Sequence, residues 1–151
     1  MDAKEISFEE LLDRDGEIFY RTDGTSMRPL IKTGRDLVVI TKKDGRLKKY
    51  DVGFFRASDK YVLHRVLMVR DVGYITAGDN NCFRETVAED DMLGVMTRIK
   101  RKDKEVKLDG AGYRIYSRLW GGNFTLRRLI VSPYRRLRRA AAKVFHRIKG
   151  D

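Results

Sequence analysis

The sequence predicts a mainly β domain, built as a barrel or sandwich, followed by a basic helical appendage. Three observations predict it. Short runs rich in β-branched and aromatic residues recur between turn signals up to about residue 110. Beyond that point the apolar residues change to helical spacing. The charge divides at the same place: of the net +11, residues from Tyr113 onward carry +10, eleven Lys and Arg against Asp151 alone. A near-neutral body and a strongly basic tail therefore need separate explanations. Residues 1–110 are read as the β domain and 111–151 as the tail.

The elements follow in order. Ser7-Phe8-Glu9-Glu10 has the form of a capping box and opens a short helix over 7–14 that presents Ile6, Leu11 and Leu12; Asp15-Gly16 ends it. Strands are predicted at Glu17–Thr22, Leu37–Thr41, Val52–Arg56, Tyr61–Val69, Tyr74–Ala77 and Leu93–Ile99. Lys104–Leu108 would close a hairpin with the last of them. Asp44-Gly45, Ser58-Asp59, Asp71-Val72-Gly73 and Arg101–Asp103 supply the turns. The glycines at 110–112 and 121–122 read as linkers, with a short helix over Tyr113–Trp120 between them. Ser132-Pro133 reads as the start of a further helix, about 17 residues and about 26 Å long. Tyr134, Leu137, Ala141, Val144, Phe145 and Ile148 share one face of it, and Gly150 stops it.

Composition narrows the function. Hydrophobic residues make up 42% of 151, enough for one core and too many for global disorder. A single cysteine, Cys82, cannot form an internal disulfide, and two histidines without paired cysteines argue against a structural zinc site. The first fifteen residues lack the basic start and apolar run of a secretory signal, and no stretch approaches the roughly 20 apolar residues that span a bilayer. The expected location is the cytoplasm, with a peripheral position at the inner face of a membrane open to it.

Three segments carry residues fit for chemistry: Gly24-Thr25-Ser26-Met27-Arg28-Pro29-Leu30, Tyr61-Val62-Leu63-His64-Arg65-Val66 and Gly78-Asp79-Asn80-Asn81. A serine hydroxyl becomes a nucleophile when a base takes its proton, and histidine titrates near neutral pH. An acid behind the histidine fixes its tautomer. Taken singly, each segment is ordinary: a serine in a Gly-rich turn, a histidine in an apolar strand, a Gly-Asp-Asn turn.

Their order is not ordinary. Gly-x-Ser-Met-x-Pro followed by Leu30 resembles the nucleophile box of type I signal peptidases. Tyr50-Asp51-Val52-Gly53-Phe54-Phe55 resembles the next box. Leu63-His64-Arg65-Val66 resembles the general-base box in its histidine branch, and Gly78-Asp79-Asn80-Asn81 resembles the last box. The resemblance covers roughly residues 20–100 and implies a mostly β peptidase domain of the kind shared with self-cleaving repressors. It implies a serine endopeptidase that needs no metal or organic cofactor, with a leader or precursor peptide as its partner and substrate. Ser26 would attack the scissile carbonyl, and His64 would take its proton. Asp79 and Glu85 are both candidates for the acid, one to orient His64 and the other to brace the site. Thr25, Met27 and Pro29 are the candidate substrate or oxyanion contacts; Gly24 stands where some members of the family place a hydroxyl, so a second oxyanion donor would be Thr25 or backbone. Self-cleaving repressors normally use lysine as base, and too few residues precede Ser26 for a helix-turn-helix.

The tail allows three readings: a solvated helix packed on the β domain, a peripheral helix on an anionic membrane surface through residues 113–149, and, less favoured, a nucleic-acid-binding helix. In the membrane reading Trp120, Phe124, Leu126, Leu129, Ile130, Phe145 and Ile148 would enter the interface. The alternative to an enzyme is a non-catalytic β module that binds through this tail.

Overall fold

The computed structural model describes residues 6–102, 104–121 and 123–148, without the side chains at 131, 134, 135 and 140–148. The chain opens with α1 (Phe8–Asp15). The capping box forms as expected: the Glu10 N–H donates to the Ser7 hydroxyl at 3.2 Å, and the Ser7 N–H donates to the Glu10 carboxylate at 3.1 Å. Gly16 closes the helix, its N–H bonding the Leu12 carbonyl.

Eight strands follow: β1 (Glu17–Tyr20), β2 (Asp36–Lys42), β3 (Val52–Ala57), β4 (Lys60–Arg70), β5 (Gly73–Ala77), β6 (Glu85–Ala88), β7 (Met92–Arg101) and β8 (Lys104–Val106). All pair antiparallel in one sheet of order β1-β2-β7-β3-β4-β5-β6, with β8 on β7. The sheet curls into a half-barrel. Register shifts at Val39/Ile40, Phe54/Phe55 and Val66/Met68 help it bend, because an extra residue on one strand kinks and twists the ladder. The predicted strands are present, and the hairpin β7–β8 forms at Ile99↔Val106.

The larger core lies inside the curl: Leu12, Ile18, Met27, Ile31, Val38, Ile40, Val52, Phe54, Leu63, Met96 and Ile99. Leu12 is almost fully buried, which contributes about 1.5–3 kcal/mol and pins α1 to the sheet. Phe8 adds three edge-on ring contacts, to Tyr20 at 5.5 Å, Phe54 at 5.8 Å and Tyr61 at 4.9 Å. Leu47, Phe55, Val66, Tyr74, Val87 and Met92 form a smaller core on the other face.

Three expectations need correction. Glu85–Ala88 is a strand, β6, on which the sequence reading placed none. The last helix does not start at Ser132-Pro133. After α2 (Ala111–Tyr116) and a π-helical turn at Ser117–Gly121, α3 runs unbroken from Phe124 to Ile148, 25 residues and about 37 Å. Asn123 caps it, its side-chain oxygen accepting the Leu126 N–H at 3.0 Å. Pro133 sits inside the helix on an exposed face. There the Leu129 carbonyl left without a helical N–H can turn to water, which makes the proline tolerable. Gly121 is not a free linker either: it is buried, and a Cβ there would lie 2.3 Å from Arg65 Nε. Among the side chains named for the tail's apolar face, those of Tyr134, Ala141, Val144, Phe145 and Ile148 lie outside the described set, as does Gly150.

Candidate active site

Ser26 and His64 open on one cleft of about 220 Å³, lined also by Tyr20, Thr22, Asp23, Gly24, Met27 and Leu63. Its two walls are the chain leaving β1 and the first half of β4. That half has a free edge. β4 pairs with β3 from Lys60 to Arg65, but β5 joins its other side only from Arg65 onward. Val66 exchanges backbone bonds with Tyr50 and Asp51 at 2.8 Å each, on the β3 side. By strand alternation Tyr61 and Leu63 turn their backbone groups away from β3. α1 stiffens this wall through Phe8 and through the Tyr61 hydroxyl, which donates to Glu9 at 2.5 Å.

The Ser26 turn is held from behind by the Gly78–Asn81 turn. The Asn80 N–H donates to the Ser26 carbonyl at 2.6 Å, and the Asn80 side-chain amide donates to the Thr25 carbonyl at 3.0 Å. A Cβ on Gly78 would stand 2.6 Å from the Ser26 carbonyl oxygen and 2.9 Å from Ser26 Cβ. Only glycine fits there without moving the serine. Met27 is buried in the main core and roots the turn. It serves as an anchor, with one edge on the cleft, more than as a substrate contact. Thr25 and Pro29 are exposed and do not line the cleft. The Ser26 N–H has no acceptor among the described residues. Thr22 lines the cleft with a buried hydroxyl that has no partner among them.

The two acid candidates part company. His64 Nδ1 lies 2.6 Å from Glu85 Oε2. β6 makes this possible: Thr76 pairs with Glu85 and Arg65 with Ala77, which lays the strand end beside the histidine. The His64 side chain is 5% exposed and that of Glu85 35%. Burial pushes the imidazole below its ordinary value, and the Glu85 carboxylate pulls it back up. Asp79 does not touch His64. It is fully buried and takes two parallel bonds from Arg65, at 2.8 and 2.7 Å, and a third from the Tyr116 hydroxyl at 2.7 Å. Burial works against the Arg65 charge, but Asp79 overrides it and keeps the guanidinium firmly protonated. Burial and the Asp79 charge push the Tyr116 phenol well above its usual range. Ser26 and His64 share the cleft without a direct hydrogen bond; such contacts commonly tighten only when substrate is bound.

Arg65 and Arg127, which tie the tail to this site, are not among the residues the sequence singles out for a role. Arg65 also donates to the Tyr50 carbonyl at 2.9 Å, to the Tyr113 hydroxyl at 3.2 Å and to Ser117 Oγ at 3.1 Å. Trp120 Nε1 donates to the Asp79 carbonyl at 3.2 Å. Arg127, fully buried, reaches from α3 to the Gly78 carbonyl at 2.8 Å. The Phe124 ring meets the guanidinium groups of Arg84 at 4.5 Å and Arg127 at 5.3 Å. Trp120 and Phe124 are therefore engaged with the β domain, not held out as interface anchors. Arg65 stands beside His64 in the sequence and could have been suspected. Arg127 is indistinguishable there from the other tail arginines.

Among the described residues no three His, Cys, Asp or Glu side chains converge to hold a metal ion, and no helix is long and apolar enough to cross a membrane. No family model matches this sequence, and no curated protein or solved structure matches it significantly.

Proposed function

We propose that this protein is a serine endopeptidase that cleaves a leader or precursor peptide, and that its catalytic domain is of the signal-peptidase type in the histidine branch. The observation that carries this reading is the 2.6 Å His64–Glu85 contact behind a cleft that Ser26 also lines. In this reading the substrate adds as a strand along the free edge of Tyr61–Leu63. Ser26 Oγ attacks the scissile carbonyl carbon while His64 Nε2 takes the hydroxyl proton. The oxyanion is held by the Ser26 N–H. His64 then gives the proton to the departing amine, the C–N bond breaks, and an acyl-serine remains. Water, deprotonated by His64, hydrolyses the ester and restores Ser26. Glu85 fixes the Nδ1–H tautomer and stabilises the imidazolium. Arg65 and Asp79 hold the wall against which the Ser26 turn rests. Both acids named from the sequence thus receive a role, and the roles differ.

The test is cleavage of a peptide library followed by mass spectrometry. Ser26→Ala is expected to lower cleavage by about 10³-fold or more with an unchanged melting temperature. Cleavage by Ser26→Ala at the native rate overturns the reading.

A further inference from the structure

We propose that the outer face of α3, with the turns before it, is a docking surface for an anionic lipid membrane. Successive residues of an α-helix advance by about 100°. On that count Leu126, Leu129, Ile130, Pro133 and Leu137 fall within about 60° of one line along α3, while Arg127 and Phe124 lie about 100–160° away from it. The structure agrees with the count. Arg127 is buried on the β domain, whereas Leu126, Leu129, Ile130 and Leu137 are 39%, 68%, 48% and 70% exposed. The apolar stripe is therefore not the face that packs. Ile115 and Leu119, in the preceding turns, are also exposed.

The charge around the stripe names the occupant: on the same count Arg136 flanks it at about 80°, while Arg138, Arg139 and Arg128 lie about 120–160° round the helix. Arg118, Arg128, Arg136, Arg138 and Arg139 are exposed, and the sequence from Tyr113 to Ile148 contains no Asp or Glu. A phosphate-binding helix for nucleic acid needs the arginines but gains nothing from four exposed aliphatic side chains. An acidic protein groove would have to supply both a long apolar floor and a negative rim. An anionic bilayer supplies both at once: the stripe enters the acyl boundary and the arginines meet the headgroups. The first turn of α3 is tied to the β domain through Arg127 and Gly78, so docking of the helix would bring the Ser26 cleft close to the surface. The proposal does not depend on peptidase activity.

Co-sedimentation of the full chain with phosphatidylcholine vesicles, with and without phosphatidylserine, tests it at about 0.1 M salt. Binding to the anionic vesicles is expected to be at least about tenfold tighter than to the neutral ones. The double variant Leu129→Ser/Leu137→Ser keeps the charge and removes two exposed side chains. It is expected to weaken anionic-vesicle binding by about tenfold or more while circular dichroism stays unchanged. Failure to bind anionic vesicles overturns the proposal. So does vesicle binding that the double variant leaves intact, or binding to single-stranded RNA or duplex DNA that is tighter than to the vesicles at the same salt.

Discussion

Asp79 and Glu85 are six residues apart and both carboxylic acids, yet the fold gives them opposite surroundings. Asp79 sits at a turn that the tail covers: two arginines, a tyrosine and a tryptophan close over it, and no water reaches it. Glu85 begins an edge strand and keeps a third of its side chain in solvent. A buried carboxylate locked by a bidentate arginine is a strut, since moving or protonating it strands the charges around it. A carboxylate at a strand edge with one imidazole partner can answer a change of charge on that imidazole. In the proposed peptidase, burial and the count of partners, more than residue type or box membership, would separate a bracing acid from a relay acid.

The largest effect expected from breaking this contrast is on stability. Asp79→Ala leaves Arg65 buried without its counter-charge and should cost about 3–5 kcal/mol, read as a large fall in melting temperature. Arg65→Met/Asp79→Leu removes both charges and should cost less than the sum of the single variants. A melting temperature for Asp79→Ala within a few degrees of native would mean that the buried cluster is not a strut.

Glu85→Gln should do the reverse. The amide keeps a hydrogen bond to Nδ1 but loses the charge that stabilises the imidazolium, so peptide cleavage should fall by about 10²–10⁴-fold. Stability should change by less than about 1 kcal/mol, because the pair is partly exposed. Loss of folding with retained specific activity would exchange the roles assigned to the two acids.

Much of this was legible in the sequence, for physical reasons. The core strands carry β-branched runs between strong turns, and β2, with Val38, Val39 and Ile40 all buried, reads directly as a buried strand. The α1 capping box is a local pattern and formed as read. β6 was invisible because its four residues bury only Val87; pairing with β5, not propensity, makes it a strand. The start of α3 was misplaced because Ser132-Pro133 is a strong local signal. The Asn123 cap and the docking of Arg127 on the β domain extend the helix back past it. The sequence named both acids and could not choose between them, since the choice depends on Tyr116 and Trp120, which arrive from 37 and 41 residues away.

The smallest expected effect is the most discriminating. Burial holds the folded imidazole of His64 below its ordinary value of 6.5. As the pH falls through that value, the unfolded chain takes up a proton that the folded chain refuses. Stability contributed by the neutral histidine is therefore present above about 6.5 and is lost until the folded imidazole itself is protonated. The acid limb of kcat/KM should lie below the same value, because only the neutral ring accepts the Ser26 proton. Of the charges around His64, the Glu85 carboxylate favours the protonated ring most, Asp79 less, and the Arg127 guanidinium opposes it. Glu85→Gln should thus move the acid limb to lower pH, and Arg127→Met should move it to higher pH. Opposite shifts in one pH–rate series would identify His64 as the group that titrates. A limb that neither substitution moves would assign the titration to another group and remove His64 from the relay.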